Sequence, residues 1–130
     1  NDTDRNAAMR AGTAAMERHE AALIDLLLNG DEKTEGLAAF DDVKVIGPMT
    51  LEGREGIVSF NLEGMTSPDL VQAFAKRGIC VHARISDAYS GHILGALGVE
   101  DCLRVSMCHY NSPDEVRQFL GALKEIRAAR

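Results

Sequence analysis

The chain has 130 residues, 45% hydrophobic and 26% charged, with a net charge of −6. That is the make-up of one globular domain, able to bury a core without disulfides or a structural metal. The acidic balance and the lack of a basic stripe argue against nucleic acid as a partner, and the apolar runs, broken by Asp, Gly or Arg, are too short to span a membrane.

Residues Asp4 to Leu28 read as one long helix, with Met9, Ala15 or Met16, His19, Leu23 and Leu27 recurring at helical spacing and Asn29-Gly30 as its stop. A polar loop follows, and Leu37 to Phe40 make a short turn. Val43 to Ile46 is a strand closed by Gly47-Pro48. Gly56 to Leu62 alternates: Ile57, Ser59 and Asn61 face one way, and Val58, Phe60 and Leu62 the other. A second helix starts at Ser67-Pro68, with Ser67 as cap and Pro68 at the first position, and runs to Arg77 before Gly78. Ile79 to Ala83 reads as the third strand and Gly91 to Leu97 as a short helix. Leu103 to Cys108 is the last strand. Ser112-Pro113-Asp114-Glu115 opens the final helix with a capping box, and Val116, Phe119, Leu120, Leu123 and Ile126 form its apolar stripe. This order predicts an α+β fold: a two-layer sandwich, with about four short, mostly antiparallel strands and helices packed on one face, preceded by a long N-terminal helix.

Cys80, Cys102 and Cys108 are odd in number and sit in apolar strand-like surroundings. They read as reduced thiols of a cytoplasmic protein. Cys80, His82, Cys108 and His109 do not match a structural zinc spacing, so no metal site is expected. His82, Ser86 and Asp87 lack the Gly-x-Ser-x-Gly elbow of a hydrolase, and the glycines from Gly91 to Gly98 lack a phosphate-loop ending.

Arg104 is the residue that asks for an explanation. It stands in an otherwise apolar strand, where a guanidinium is costly unless it meets an anion. Ser106 shares its strand face, and the pair could grip a carboxylate. An internal Asp or Glu, or a solvated edge, would satisfy it equally well.

The stretch Leu103-Arg104-Val105-Ser106-Met107-Cys108-His109-Tyr110-Asn111-Ser112-Pro113 resembles the closing signature of class V pyridoxal-phosphate enzymes, the aminotransferases and cysteine desulfurases. Upstream, Arg18-His19-Glu20-Ala21-Ala22-Leu23 resembles the family's linking helix. Val45-Ile46-Gly47-Pro48 with Arg54-Glu55-Gly56-Ile57-Val58-Ser59-Phe60 resembles its first two small-domain strands, and Lys76-Arg77-Gly78-Ile79-Cys80-Val81 the turn into the third.

The resemblance implies that residues 1–30 are a linking helix from a missing large domain and residues 31–130 a small C-terminal domain. It implies that Arg104 binds the α-carboxylate of an amino-acid substrate. It places Val81 to Ser90 at the loop that in desulfurases carries an Arg and then a catalytic Cys. Arg84, or with a different spacing His82, stands for that Arg. No Cys lies there; Asp87 or Tyr89 stands near the position. Desulfuration by a thiolate is therefore not expected, and the parent enzyme should be an aminotransferase, an epimerase or lyase-like member, or a desulfurase that works without the nucleophile.

Pyridoxal phosphate is implied in the parent, but not on this segment. Its four lysines, Lys33, Lys44, Lys76 and Lys124, lack the family's Schiff-base context. Beginning at Asn1 rather than Met, the chain reads as an enzyme fragment without catalytic residues of its own. Its expected partners are the missing large domain and a second copy, the homodimer using the first helix. A free-standing amino-acid-binding or interaction module, or a ligand-free structural domain, are the other readings.

Overall fold

The computed structural model describes all 130 residues. Helix α1 spans Asp2–Asn29, followed by a 3-10 turn at Leu37–Ala39, strands β1 (Val43–Ile46) and β2 (Ile57–Leu62), and helix α2 (Ser67–Ala75). Strand β3 (His82–Ile85), helix α3 (Gly91–Leu97), strand β4 (Asp101–Ser106) and helix α4 (Pro113–Ala128) complete the chain. The four strands form one sheet in the order β1-β2-β4-β3, each pair antiparallel. This is the α+β architecture read from the sequence.

The alternation of β2 decides which face is the core. Val58, Phe60 and Leu62 are buried, and they pack with Leu103 and Val105 of β4 against Leu23, Leu27, Leu70, Phe74, Phe119 and Leu123 of the three longer helices. Phe74 and Phe119 stack at 4.6 Å between ring centres, with Phe60 edge-on to Phe119. Burying such side chains contributes about 1.5–3 kcal/mol each, so this face holds most of the fold's stability. The capping box of α4 is formed as expected: Glu115 N–H donates to Ser112 Oγ, and Ser112 N–H donates to the Glu115 carboxylate at 2.6 Å.

Four local readings change. The last strand is Asp101–Ser106, two residues earlier than the Leu103 to Cys108 read from the sequence. The cap of α2 is Thr66, whose hydroxyl accepts from Asp69 N–H, not Ser67. Ser67 is buried instead, and its hydroxyl donates to Asp101 on β4 at 2.6 Å, tying α2 to the sheet. β3 begins three residues later than the apolar run Ile79-Cys80-Val81 suggested, because that run diverges from β4 and leaves a cavity of about 330 Å³ between Ile79–Val81 and Val105–Met107. Finally, α3 does not join the other helices: its buried Leu94 lies outside the main core and shares a cavity wall with Ser59, Cys102 and Arg104, on the opposite sheet face.

Only the end of α1 belongs to this core. Leu23, Ile24, Leu26, Leu27 and Leu28 are buried, whereas Met9 is 60% exposed, and apart from the half-covered Ala14 every residue before His19 is exposed. His19 marks the change, donating from Nε2 to Asn111 O at 2.7 Å and so fastening the helix to the loop before α4.

Candidate anion-binding site on the open sheet face

Because β4 alternates, sending Leu103 and Val105 into the core turns Cys102, Arg104 and Ser106 to the other face. Register then builds the site across the sheet. Ile46 lies opposite Ser59, Ser59 opposite Arg104, and Arg104 opposite His82, so one row crosses all four strands. One step along, Arg84 lies opposite Cys102. Helix α3 overhangs this patch and borders a half-open cavity of about 210 Å³ lined by Arg84, Arg104, Ser59 and Cys102, with Ile46, Ile57, Ile93, Leu94 and Leu97 as its apolar walls.

The three sequence-derived candidates separate in this geometry. Arg104 and Arg84 both line the cavity and are half-buried; His82 is in the Arg104 row but is exposed on the edge strand and outside the cavity wall. Ser106 shares the face but not the cavity, and the hydroxyl that stands opposite Arg104 is that of Ser59. Ser59 and the α3 side chains were not singled out from the sequence, and Cys102 was read there only as a reduced thiol. The outward set Ile57-Ser59-Asn61 in β2 was the signal available, but its register against β4 could not be read from the chain.

The electrostatics of the patch are one-sided. The side-chain ion pairs of the chain engage Arg77, Arg117, Lys124, Arg127 and Arg130; Arg84 and Arg104 take part in none. Nε of Arg104 is buried without a hydrogen-bond partner. The only other buried side-chain atom so placed, Oδ1 of Asn61, belongs to the same outward set. A buried polar atom left unpaired costs about 1–3 kcal/mol, and this face carries one donor, Arg104 Nε, and one acceptor, Asn61 Oδ1, in that state. Burial pushes the Cys102 thiol up, against the Ser59 hydrogen bond and the positive charges of Arg84 and Arg104, and a neighbouring Asp101 adds to the rise. Such a thiol stays protonated and is a poor nucleophile.

The loop before α3 carries no thiol. The Asp87 carboxylate accepts from Tyr89 N–H at 2.9 Å and Ser90 N–H at 2.7 Å, and these bonds hold it below the ordinary carboxylate range. Asp87 therefore shapes the turn into α3, while the Tyr89 side chain is 91% exposed. Cys80 lines the cavity beside α4, and Cys108 lines a groove between α1 and the loop before β2. No three His, Cys, Asp or Glu side chains converge to hold a metal ion, and no helix is long and apolar enough to cross a membrane.

The model of the family "aminotransferase class-V" matches residues 6–119. The chain belongs to the class V aminotransferase family. A probable cysteine desulfurase of Pseudomonas putida is 35% identical over 112 residues, covering 85% of this chain and 25% of that protein. Probable cysteine desulfurase 2 of Mycobacterium leprae is 33% identical over 116 residues, covering 88% of this chain and 26% of its own length. The apo cysteine desulfurase of Thermococcus onnurineus superposes with a TM-score of 0.78 at 28% identity, covering 94% of this chain and 28% of that one. This class V chain thus spans about a quarter of the length of the curated relatives it matches.

Pyridoxal phosphate, which the family implies, needs a lysine for its Schiff base. The lysines of this class V chain do not fit that need. Lys33, Lys44, Lys76 and Lys124 are all exposed and on separate elements, and Lys124 is paired with Glu35 at 2.8 Å.

Proposed function

We propose that this chain is the substrate-recognition part of a larger pyridoxal-phosphate-dependent class V enzyme, in which Arg104 holds the carboxylate of an amino-acid substrate. The observation that carries the reading is the half-buried Arg104 guanidinium, lining a cavity with no acid in its wall and with its Nε unpaired. A carboxylate placed there would accept charge-assisted hydrogen bonds from Arg104, with Arg84 and the Ser59 hydroxyl within the same cavity. When bound in the parent enzyme, the cofactor would supply the electron sink for chemistry at the substrate α-carbon. Residues outside this chain would supply its lysine. The role of this chain is to orient the substrate by its carboxylate and to offer its aliphatic part the apolar residues of α3, β1 and β2. With Asp87 tied into a turn and Cys102 kept protonated, thiolate-assisted desulfuration has no nucleophile on this face. Transamination, epimerisation or lyase chemistry fits better. A homodimer, with the exposed half of α1 at its interface or against the large domain, belongs to the same reading.

Arginine Nε–Hε NMR of the chain tests the recognition role. Titration with butyrate, at constant ionic strength, should move the Arg104 resonance saturably, and Arg104→Gln should weaken binding at least about tenfold, the value of one charge-assisted contact. An unmoved Arg104 signal, or unchanged binding in Arg104→Gln, would refute it. The intact mass of the natural gene product tests the fragment reading: it should exceed this chain by a few hundred residues.

A further inference from the structure

The cavity under α3 holds two guanidiniums where one carboxylate needs one. Arg84 lies opposite Cys102, and Arg104 stands two residues further along β4, so the two arginines are diagonal neighbours on one sheet face. Diagonal pairs are within reach of each other's long side chains. The Cys102 thiol between them senses both charges. The cavity wall contains no acidic residue, and neither arginine has an ion pair. The nearest acid that Arg84 influences, Asp87, is outside the cavity wall and spends its carboxylate on two backbone N–H groups. Two like charges brought together on a half-buried face repel unless a ligand neutralises both.

The remaining walls are aliphatic. Ile46 and Ile57 rise from the sheet and Ile93 and Leu97 descend from α3. A volume of about 210 Å³ suits a molecule of a few carbon atoms. We infer that Arg84 is a specificity-determining residue, and that the site takes a small acid with two anionic groups joined by a short aliphatic spacer: in substrate terms, an amino acid with an acidic side chain. Arg104 holds one anionic end and Arg84 the other, with the spacer against the isoleucines. This deepens the proposed recognition role of Arg104 and rests on it.

The test compares two four-carbon acids that differ in one charge, succinate and butyrate, titrated into the chain at pH 7.5 and matched ionic strength, with arginine Nε–Hε shifts as readout. Succinate should bind about ten times more tightly than butyrate, the gain expected from one further charge-assisted contact, and should move both arginine resonances. Arg84→Gln should erase the difference by lowering succinate affinity to the level of butyrate. Equal affinity for the two acids in the unmodified chain, or a succinate preference that survives Arg84→Gln, would overturn the inference. Butyrate binding that moves Arg104 without any succinate preference sinks the role of Arg84 alone; loss of all response at Arg104 sinks the recognition role beneath it. Should Arg84→Gln fail to give a dispersed spectrum, Arg84→Lys keeps the charge but loses the two-pronged fork, and must lower the succinate-to-butyrate ratio without abolishing it.

Discussion

Asp42 shows how a single carboxylate closes the C-terminal end of the fold. Arg127 Nε donates to it at 2.6 Å, Arg130 reaches it as well, and the Arg127 guanidinium lies 4.2 Å over the Phe40 ring. Burial pushes the Asp42 carboxyl up, but the Arg127 hydrogen bond and charge, with the Arg130 charge, outweigh it and hold the group below its ordinary 3.8. A depressed folded-state value means a stabilising contribution that is complete above 3.8 and fades as pH falls through the folded-state value. Asp42→Asn should therefore lower the urea midpoint at pH 7, and the gap from the unmodified chain should close on acidification below 3.8; a gap that stays constant down to pH 2 would contradict this account. None of this was legible in the sequence, because the partners of Asp42 lie 85 and 88 residues away. Arg104 was legible, since a charge in an apolar strand is conspicuous whatever its surroundings. Ser67 was misread for the opposite reason: Thr66 and Ser67 are both good caps, and only the position of Asp101 on β4 decides which one is free to cap.

At the scale of elements, the join between β2 and the segment after β4 depends on the absence of a side chain. Met107 N–H donates to Gly56 O at 2.6 Å, and a Cβ on residue 56 would come within 2.2 Å of Met107 O. Backbone cannot give way as a flexible side chain can. Gly56→Ala should cost about 3 kcal/mol, at the upper end of the overpacking range, read as a loss of stability in urea denaturation; a change below about 0.5 kcal/mol, the usual size for an unremarkable surface position, would show that the contact relaxes freely. Helices were read well at this scale because caps and stripes are local chemistry: the short helix Gly91–Leu97 and the boxed start at Ser112-Pro113 stand where the residues place them. The third strand was not. Ile79-Cys80-Val81 has the composition of a strand, but strand pairing needs a neighbour, and β4 draws level with β3 only from His82 onward.

For the molecule as a whole, α1 is two structures in one. Its last third is core, and its first two-thirds touch almost nothing in this chain. Isolated helical segments of this length are marginal in water, and add little to a folded body they do not contact. Removing residues 1–17 should therefore shift the unfolding free energy by less than about 1 kcal/mol, the scale of a surface change, while lowering the helical circular dichroism signal; a larger loss of stability would mean that the exposed half is packed after all. His19, at the boundary, should be kept, since its ring holds the helix to Asn111. The sequence by itself determined the class of fold, the order of its elements, the family resemblance and the oddity of Arg104. All of these rest on periodicity, capping and residue type, which act over a few neighbours. The tertiary structure decided that Arg84 joins Arg104 while His82 stays outside, that Ser59 and Cys102 complete the patch, and that α3 covers it from the side away from the core. Those facts depend on register between strands distant in the chain, and a shift of one residue in that register would have turned every one of these side chains to the other face.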